Sequence, residues 1–362
     1  MKNELFKDIK VIDGHLHIHN WDDPRNGEEF FHGIECYRDH MGLHAFNLMA
    51  MASGYRDPLN NIMCGFYKLL NKNTYAHGSL TFPEYPVNPD TVGDMDPLTQ
   101  YRELMEIGFD GIKMLEGKPS VYKYTNLPLD SELLDPFYSA AEEDGTHVLM
   151  HAADPKDFWD SEKTSEEHKA KGWFYGDGEH IEYGEIYRQI EGMLAKHPKL
   201  TLTLAHFFFK SDDPEYLKGL FAKYENLGID ITPGGEMYVD FNENYEYFKD
   251  FFTVYADRIM FGTDGDFPPH LGAMEWLCDR EYKYIATDLE TDAWSKRPLK
   301  GINIPRDRVE LIMCGNFEKK VGAEPKRINK VAFLRYIKKY KGLIRDKSYL
   351  PRIEELCKKY LL

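Results

Sequence analysis

Four short apolar segments of this chain each end in a histidine or an aspartate. The first leads into His15-Leu16-His17, and the others end at His151, His206 and Asp264. Apolar runs of this length are typical of strands buried in a parallel sheet. In a barrel of parallel strands with outer helices, active sites lie at the carboxyl ends of the strands. The pattern therefore predicts a (β/α)8 TIM barrel, with a site where these polar residues follow the strands.

The spacing of His15 and His17 adds a chemical constraint. Alternate residues on a strand point to one face, so both imidazoles can reach a single ion. A lone histidine at a strand end is more often a hydrogen-bonded structural residue than a ligand. Buried imidazoles and carboxylates are costly unless paired, however, so packing alone does not account for four such strand ends. Together they indicate a divalent metal site, since catalytic zinc typically has about three protein ligands and one open position.

Short apolar runs alternate with longer amphipathic segments along the chain, which predicts alternating strands and helices. Strands are expected near residues 11–13, 45–51, 75–81, 111–115, 147–151, 201–206, 228–232 and 259–262. Helices are expected near residues 96–105, 133–144, 182–196 and 215–224. Eight strands with intervening helices fit one barrel, because such barrels commonly occupy about 250 residues or more as one unit.

Two segments depart from this alternation. Residues 154–183 follow the fifth strand and are rich in charged and aromatic side chains, which predicts a long loop that covers the catalytic face. The tail has apolar residues at helical spacing, which predicts helices packed on the barrel, with membrane or partner binding as the minor alternative. We therefore expect a barrel domain over residues 1–324 and a C-terminal helical extension over residues 325–362.

The composition limits which binding partners and which cellular compartment are expected. The net charge of −16 argues against a nucleic-acid or anionic membrane surface and leaves a small-molecule substrate. The five cysteines are scattered and odd in number, which argues against a disulfide framework. There is no apolar signal core and no apolar window of about 18 residues, so a cytoplasmic protein is expected. No nucleotide-binding glycine motif is evident.

The ordered set of segments resembles the metal-dependent amidohydrolase superfamily. Within that superfamily the chain resembles the amidohydrolase-related branch (amidohydrolase 2). This branch is similar to aminocarboxymuconate-semialdehyde decarboxylase, γ-resorcylate decarboxylase and related hydrolases. The resemblance covers about residues 9–322. It is carried by residues 12–17, residues 108–113 at the fourth strand, His151, His206, residues 261–264 and a closing segment at residues 312–317.

The resemblance implies a role for each of the strand-end residues. His15 and His17 would bind the metal together with His151 and Asp264. His206 would bind a second metal in binuclear members, or orient water and polarise the substrate in mononuclear ones. The ion is expected to be Zn²⁺, although imidazole and carboxylate ligands also accept Mn²⁺ or Fe²⁺. Asp264 would accept a proton from the attacking water and pass it to the leaving group.

Lys113 at the fourth strand bears on the number of metal ions. In binuclear members of the superfamily a lysine at this position can be carboxylated, and the carbamate then bridges two ions. The branch that this chain resembles often has the lysine and works with one metal. We favour an unmodified Lys113, which would bind a substrate carboxylate or pair with Glu116.

Three further residues are candidates for substrate binding. His19 shares the strand parity of His15 and His17, and its alternative is a hydrogen bond in the following loop. Glu236 follows the seventh strand and is either a substrate contact or a solvated loop carboxylate. Arg56 follows the second strand, where it would clamp a carboxylate or form an ordinary surface ion pair.

These residues predict a metal-dependent hydrolase that uses activated water on an amide, ester or lactone of a small molecule, with Asp264 as acid and base and His206 stabilising the oxyanion. The alternative enzyme is a non-oxidative decarboxylase of an unsaturated or aromatic acid. It would need cationic groups around the substrate carboxylate, for which Arg56 and Lys113 are available. A catalytically inactive binding protein is a third reading, which the intact ligand set argues against. A homodimer would fit the branch.

Overall fold

A parallel sheet forms the centre of the computed structural model, which describes residues 5–18, 29–267, 271–292 and 298–362. Its strands are β1 (Ile12–Ile18), β2 (Ala45–Met49), β3 (Thr74–Ser79), β4 (Gly111–Gly117), β5 (His147–Ala152), β6 (Leu202–Leu204), β7 (Leu227–Asp230), β8 (Ile259–Met260) and β9 (Gly265–Phe267). From β1 to β8 each strand pairs in parallel with the next one in the sequence. Strands β10 (Glu290–Asp292) and β11 (Pro298–Lys300) form a separate antiparallel ribbon.

The last barrel position is shared by two short strands. β8 pairs with β7, whereas β9 pairs with β1. Between them the backbone N–H of Gly14 donates to Phe261 O at 3.1 Å, and the N–H of Asp264 donates to His15 O at 2.8 Å. The sheet therefore closes on itself, and the predicted α/β barrel is confirmed.

In the sequence, helices connect the strands and follow the last one. They are α1 (Glu29–Met41), α2 (Ala52–Tyr55), α3 (Leu59–Leu70), α4 (Pro97–Ile107), α5 (Pro119–Thr125), α6 (Asp135–Glu143), α7 (Glu166–Ala170), α8 (Tyr183–Lys196), α9 (Pro214–Lys223), α10 (Gly235–Glu243), α11 (Tyr245–Val254), α12 (Leu271–Ala286), α13 (Arg306–Glu310), α14 (Asn316–Val321), α15 (Lys330–Tyr340) and α16 (Leu350–Tyr360). Within the described ranges, no helix has both the length and the apolar character needed to cross a membrane.

All eight predicted strands are present with shifted ends, and two of the differences concern the residues predicted to bind metal. The first strand, expected at residues 11–13, continues to Ile18 and includes both His15 and His17. The eighth, expected at residues 259–262, ends at Met260, the Phe261 N–H donates to Ile312 O, and Asp264 beyond it adopts the left-handed backbone conformation (φ 52°). Non-glycine residues in this conformation cost about 1–3 kcal/mol and are concentrated at functional sites. The four helices predicted from periodicity correspond to α4, α6, α8 and α9.

The long loop after β5 is held by its own aromatic side chains. The indole of Trp159 lies 5.0 Å from the Tyr175 ring and 5.1 Å from the Tyr183 ring, measured between centroids. Its N–H donates to Ile181 O at 2.9 Å. Phe158 stacks on Trp173 at 6.0 Å. The loop therefore has a small core of its own. Its Phe158 and Trp173 line the same cavity as His151 and Asp264, which agrees with the predicted loop over the carboxyl ends of the strands.

The C-terminal helices pack on the barrel. The N–H of Asn329 donates to Ile107 O at the end of α4, and the Phe333 ring lies 5.0 Å from that of Phe66 on α3. A Cβ on Gly65 would come within 2.4 Å of the Phe333 ring, so this glycine lets the ring approach the backbone of α3. These contacts agree with an extension packed on the barrel, and the boundary at residue 325 stays a prediction.

We expect Phe333→Ala to lower the free energy of unfolding by about 3–5 kcal/mol, because it removes a fully buried ring between α15 and α3. Urea unfolding measures the change. Val331→Ala on the same helix is the control, since Val331 is 75% exposed and its truncation should change stability by less than about 0.5 kcal/mol. Equal effects of the two variants would show that α15 is not docked as described.

Candidate metal centre

His15 and His17 face each other on β1. Their Nε2 atoms are 3.2 Å apart. The His17 Nδ1–H donates to Met49 O at 3.0 Å, and the His15 Nδ1–H donates to the Asp230 carboxylate at 2.8 Å. These acceptors assign the tautomer, so in both neutral rings the unprotonated nitrogen is Nε2. Two lone pairs that point at one position repel each other unless a cation or a hydrogen-bond donor lies there, and Lys113 Nζ lies 2.8 Å from His15 Nε2.

Asp264 supplies the anionic member of this group. Its Oδ1 lies 3.1 Å from His17 Nε2 and 3.4 Å from His15 Nε2. The three ligand atoms all lie within 4.8 Å of one another. Two imidazoles oriented by a carboxylate and a carbonyl, together with one carboxylate ligand, are typical of a divalent metal site. The residues present therefore fit a metal ion.

His151 and His206 form a second pair beside the first. His206 Nε2 lies 3.1 Å from His151 Nδ1 and 3.9 Å from Asp264 Oδ2. The His206 Nδ1–H donates to Thr232 O at 3.2 Å, and the His151 Nε2–H donates to Asp154 at 3.2 Å. The lone pairs of these two rings also face each other. The five predicted metal-site residues thus meet around Asp264, but His151 joins the compact group through His206 rather than directly.

Asp230, at the end of β7, was not identified from the sequence. Its Oδ2 accepts from His15 and its Oδ1 accepts the backbone N–H of His206 at 2.8 Å, so one carboxylate orients both histidine pairs. Burial acts to raise the pKa of this carboxyl, but His15 and His206 outweigh it and lower the pKa to about 2. The signal was available, because Asp230 ends a short apolar strand in the same way as His151 and His206.

Asp13 fixes the loop that carries Asp264. Its Oδ2 accepts from the Thr263 hydroxyl at 2.7 Å, and its Oδ1 accepts the backbone N–H groups of Thr263 and His15 at 3.1 and 3.2 Å. The side chain is fully buried, and burial raises its pKa to about 6. Asp13 thus ties the first and last strands together beside the candidate ligands.

Lys113 points from β4 toward the first histidine pair. Its Nζ lies 2.8 Å from His15 Nε2, and burial lowers its pKa to about 8. The alternative pairing with Glu116 is not found, since Glu116 Oε1 has no hydrogen-bond partner and Oε2 accepts the N–H of Leu115. Residues three apart on a strand point to opposite faces, which explains the difference.

Lys118 links the metal centre to the loop after β5. Its Nζ donates to both oxygens of Asp154, at 3.0 and 3.1 Å, and lies 3.4 Å from His151 Nε2. Asp154 also accepts from the Tyr175 hydroxyl at 2.7 Å. The sequence reading missed Lys118 and Asp154, although each follows a barrel strand and carries a charge.

Two cavities open at this end of the barrel. The larger has a volume of about 570 Å³ and is lined in part by His151, His206, Asp264, Lys118, Phe158, Trp173 and Glu236. The smaller, of about 340 Å³, shares Lys118, His151 and Asp264 with it and adds His17. Volumes of about 300–1,000 Å³ are typical of small-molecule sites.

The remaining substrate candidates are placed differently. Glu236 lines the larger cavity. Arg56 is exposed, and its guanidinium lies 3.6 Å from the centroid of the Tyr124 ring. It is not among the described residues that line either cavity. His19 lies outside the described residues. Inside the barrel, His77 and His147 are satisfied by each other at 2.8 Å, so they are not candidate ligands.

The family follows from a comparison of the whole chain. The family profile of amidohydrolase 2, described as amidohydrolase, matches residues 12–316. The chain belongs to the amidohydrolase family. No curated protein matches the sequence. The match also includes residues 312–316 of the closing segment expected from the sequence.

Solved structures show the same fold at low sequence identity. A 4-oxalomesaconate hydratase from Rhodopseudomonas palustris has 13% identity and a TM-score of 0.54, covering 92% of this chain and 98% of its own. A probable 2-pyrone-4,6-dicarboxylic acid hydrolase from Acinetobacter baumannii has 14% identity and a TM-score of 0.52, covering 87% and 100%. A 2,6-dihydroxybenzoate decarboxylase from Rhizobium has 14% identity and a TM-score of 0.50, covering 86% and 98%. The family membership indicates an enzyme, and the relatives differ in their reactions.

We expect Asp230→Asn to weaken Zn²⁺ binding by about 10- to 100-fold, because it removes the charge that orients His15. Competition with a chromophoric chelator measures the affinity, and circular dichroism checks the fold. Asp250→Asn on α11 is the control, since Asp250 is exposed. An unchanged affinity in folded Asp230→Asn protein would contradict this role.

Proposed function

We propose that this amidohydrolase family member is a metal-dependent hydrolase of a small-molecule amide, ester or lactone. The observation that carries the proposal is the pair of facing imidazole nitrogens, 3.2 Å apart, beside Asp264. His15, His17 and Asp264 would hold the ion, with His151 and His206 beside it. We propose Zn²⁺, although this ligand set also accepts Mn²⁺ or Fe²⁺.

The protein side chains divide the chemistry between them. A bound divalent ion supplies Lewis-acid chemistry that makes water a nucleophile near neutral pH. Asp264 has one oxygen toward His17 and the other toward His206, so it can accept the proton of the attacking water and transfer it to the leaving group. His206 donates its Nδ1–H to Thr232 O, so its Nε2 stabilises a developing oxyanion only when the ring is protonated.

The charges in the cavities favour hydrolysis over decarboxylation of an acid. A substrate carboxylate would need an available cation, yet Lys118 pairs with Asp154 and Lys163 pairs with Asp157 at 3.3 Å. Arg56 lies against Tyr124 outside the cavities, and Lys113 is directed at His15. Among the described residues that line the two cavities, no lysine or arginine is therefore free of a carboxylate.

The contact between Lys113 and His15 bears on the number of metal ions. The Lys113 ammonium donates to His15 Nε2, the atom that would bind the first ion, so metal binding and this hydrogen bond compete. We propose one ion per chain with an unmodified Lys113, whose hydrogen bond to His15 would be lost when the ion binds. A cytoplasmic location and a homodimer remain expectations.

The purified protein should contain about one divalent ion per chain. The His15→Ala/His17→Ala variant should lose it, because two of the three compact ligands are removed. Elemental analysis before and after chelation measures the content, and His32→Ala is the control because His32 is exposed on α1. Near two ions per chain would favour a carboxylated Lys113. No metal after reconstitution would contradict the proposed function.

Asp264→Asn should lower kcat by about 10²- to 10⁴-fold at equal metal occupancy, because the general acid and base is lost. The measurement is a panel of aryl esters, lactones and anilides, run beside a carbon dioxide assay on aromatic acids. His32→Ala is again the control. Carbon dioxide release without hydrolysis of any panel member would replace the hydrolase proposal with the decarboxylase alternative.

A further inference from the structure

One oxygen of the Glu236 carboxylate has no hydrogen-bond partner among the described residues, and the side chain lines the larger cavity. Glu236 lies in the first turn of α10, and the oxygen without a partner is Oε1, which is buried. A buried acceptor left unsatisfied costs about 1–3 kcal/mol, more for a charged group. The backbone N–H of Glu236 at the start of the helix hydrogen-bonds the carboxylate and acts to lower its pKa, but Oε1 still lacks a donor. Because Glu236 lines the cavity, a ligand bound there can supply a further donor to the carboxylate.

The charges around Glu236 are mostly negative. Asp154, Asp157 and Asp240 all act to raise the pKa of its carboxyl, after the larger effect of burial, and the pKa reaches about 7. Asp154 is compensated by Lys118, and Asp157 by Lys163. Asp240 accepts a hydrogen bond from the Ser211 hydroxyl, which leaves its charge in place. Both lysines that line the cavity are thus paired with other carboxylates, and a cationic group bound at this wall would favour the ionised form of the Glu236 carboxyl.

An apolar surface lines the same cavity. Phe158 and Trp173 are stacked with an interplanar angle of 24°, and Phe209 lies beside the His151 and His206 rings at 5.5 and 5.2 Å. All three aromatic side chains line the cavity together with Pro155 and Pro233. A substrate that fills this space has a flat or aliphatic apolar part.

We propose that the substrate carries a primary ammonium group, which Glu236 binds while the apolar part of the substrate lies against Phe158, Trp173 and Phe209. This inference rests on the proposed function, because the scissile bond would then lie toward Asp264. It selects basic amides, esters or lactones over acidic ones. Charge-assisted hydrogen bonds between ammonium and carboxylate are roughly twice as strong as neutral ones.

Gly234 leaves room for the Glu236 carboxylate and offers a second variant. A Cβ at residue 234 would lie 2.6 and 3.1 Å from the two oxygens of Glu236, so the side chain would have to move. The backbone at Gly234 has φ −108° and ψ 136°, which any residue adopts. Gly234→Ala should therefore displace the carboxylate without removing its charge or straining the loop.

The first test is calorimetric binding to metal-free protein, which separates this inference from metal chemistry. The probes are benzylamine, benzyl alcohol and benzoate, which share a ring and differ in charge. Wild-type protein should bind benzylamine at least about tenfold more tightly than benzyl alcohol. Glu236→Gln should abolish the difference and Gly234→Ala should reduce it. Glu246→Gln on α11 is the matched control, since Glu246 is exposed and should leave the preference unchanged.

Several outcomes would overturn the inference. They are no measurable benzylamine binding, equal binding of benzylamine and benzyl alcohol, tighter binding of benzoate, and an unchanged preference in folded Glu236→Gln protein. Repeating the titrations after Zn²⁺ loading separates the two proposals. Metal binding and hydrolysis without the ammonium preference would overturn this inference alone, whereas the preference without metal binding would contradict the proposed function alone.

Discussion

The contact between the first strand and the last one is the interaction on which the site depends. Two backbone hydrogen bonds, Gly14 to Phe261 and Asp264 to His15, close the sheet and bring Asp264 beside the histidines of β1. Asp13 reinforces this closure by accepting two hydrogen bonds from Thr263, and it also accepts the N–H of His15 on its own strand. Residues about 250 positions apart in the chain thereby become neighbours, which is why the ligand set exists only in the folded barrel.

Without a bound cation, the site brings together groups whose electrostatic interactions are unfavourable. Two imidazole pairs face each other through unprotonated nitrogens, and left-handed backbone at His206 and Asp264 adds local strain. A folded protein can contain such a site when favourable interactions elsewhere in the fold outweigh its unfavourable free energy. A cation bound only by the native state would return part of this cost, since a ligand specific to the folded protein stabilises it by mass action.

The sequence predicted what depends on periodicity and on strand ends. The alternating apolar runs predicted the barrel, the loop and the tail. The position on or directly after an apolar strand predicted the site residues His15, His17, His151, His206 and Asp264. Asp230 ends the seventh strand in the same way but was not predicted, because a single aspartate at a strand end does not show that it orients histidines from two other strands. Lys118 and Asp154 were missed for a different reason, since their roles come from pairing across two loops. Long-range contacts of this kind are not visible in local spacing.

Arg56 and Lys113 illustrate a further limit. Both are cations placed near strand ends, and composition alone could not tell which partner each would take. In the structure the Arg56 guanidinium lies over the Tyr124 ring and Lys113 donates to His15. Less positive charge is therefore available to a substrate. The substrate specificity of such a barrel therefore depends as much on which charges are already paired as on which are present.

The turn at His206–Phe209 has a consequence for engineering this enzyme. Its four residues have positive φ, so the three phenylalanine rings leave the backbone in different directions. Phe207 enters the aromatic cluster of α10 and α11, Phe208 packs on Tyr187, and Phe209 borders the cavity. Two of the rings thus anchor the turn while the third faces the ligand. A library that reshapes the active site can vary residue 209 while residues 207 and 208 are kept constant.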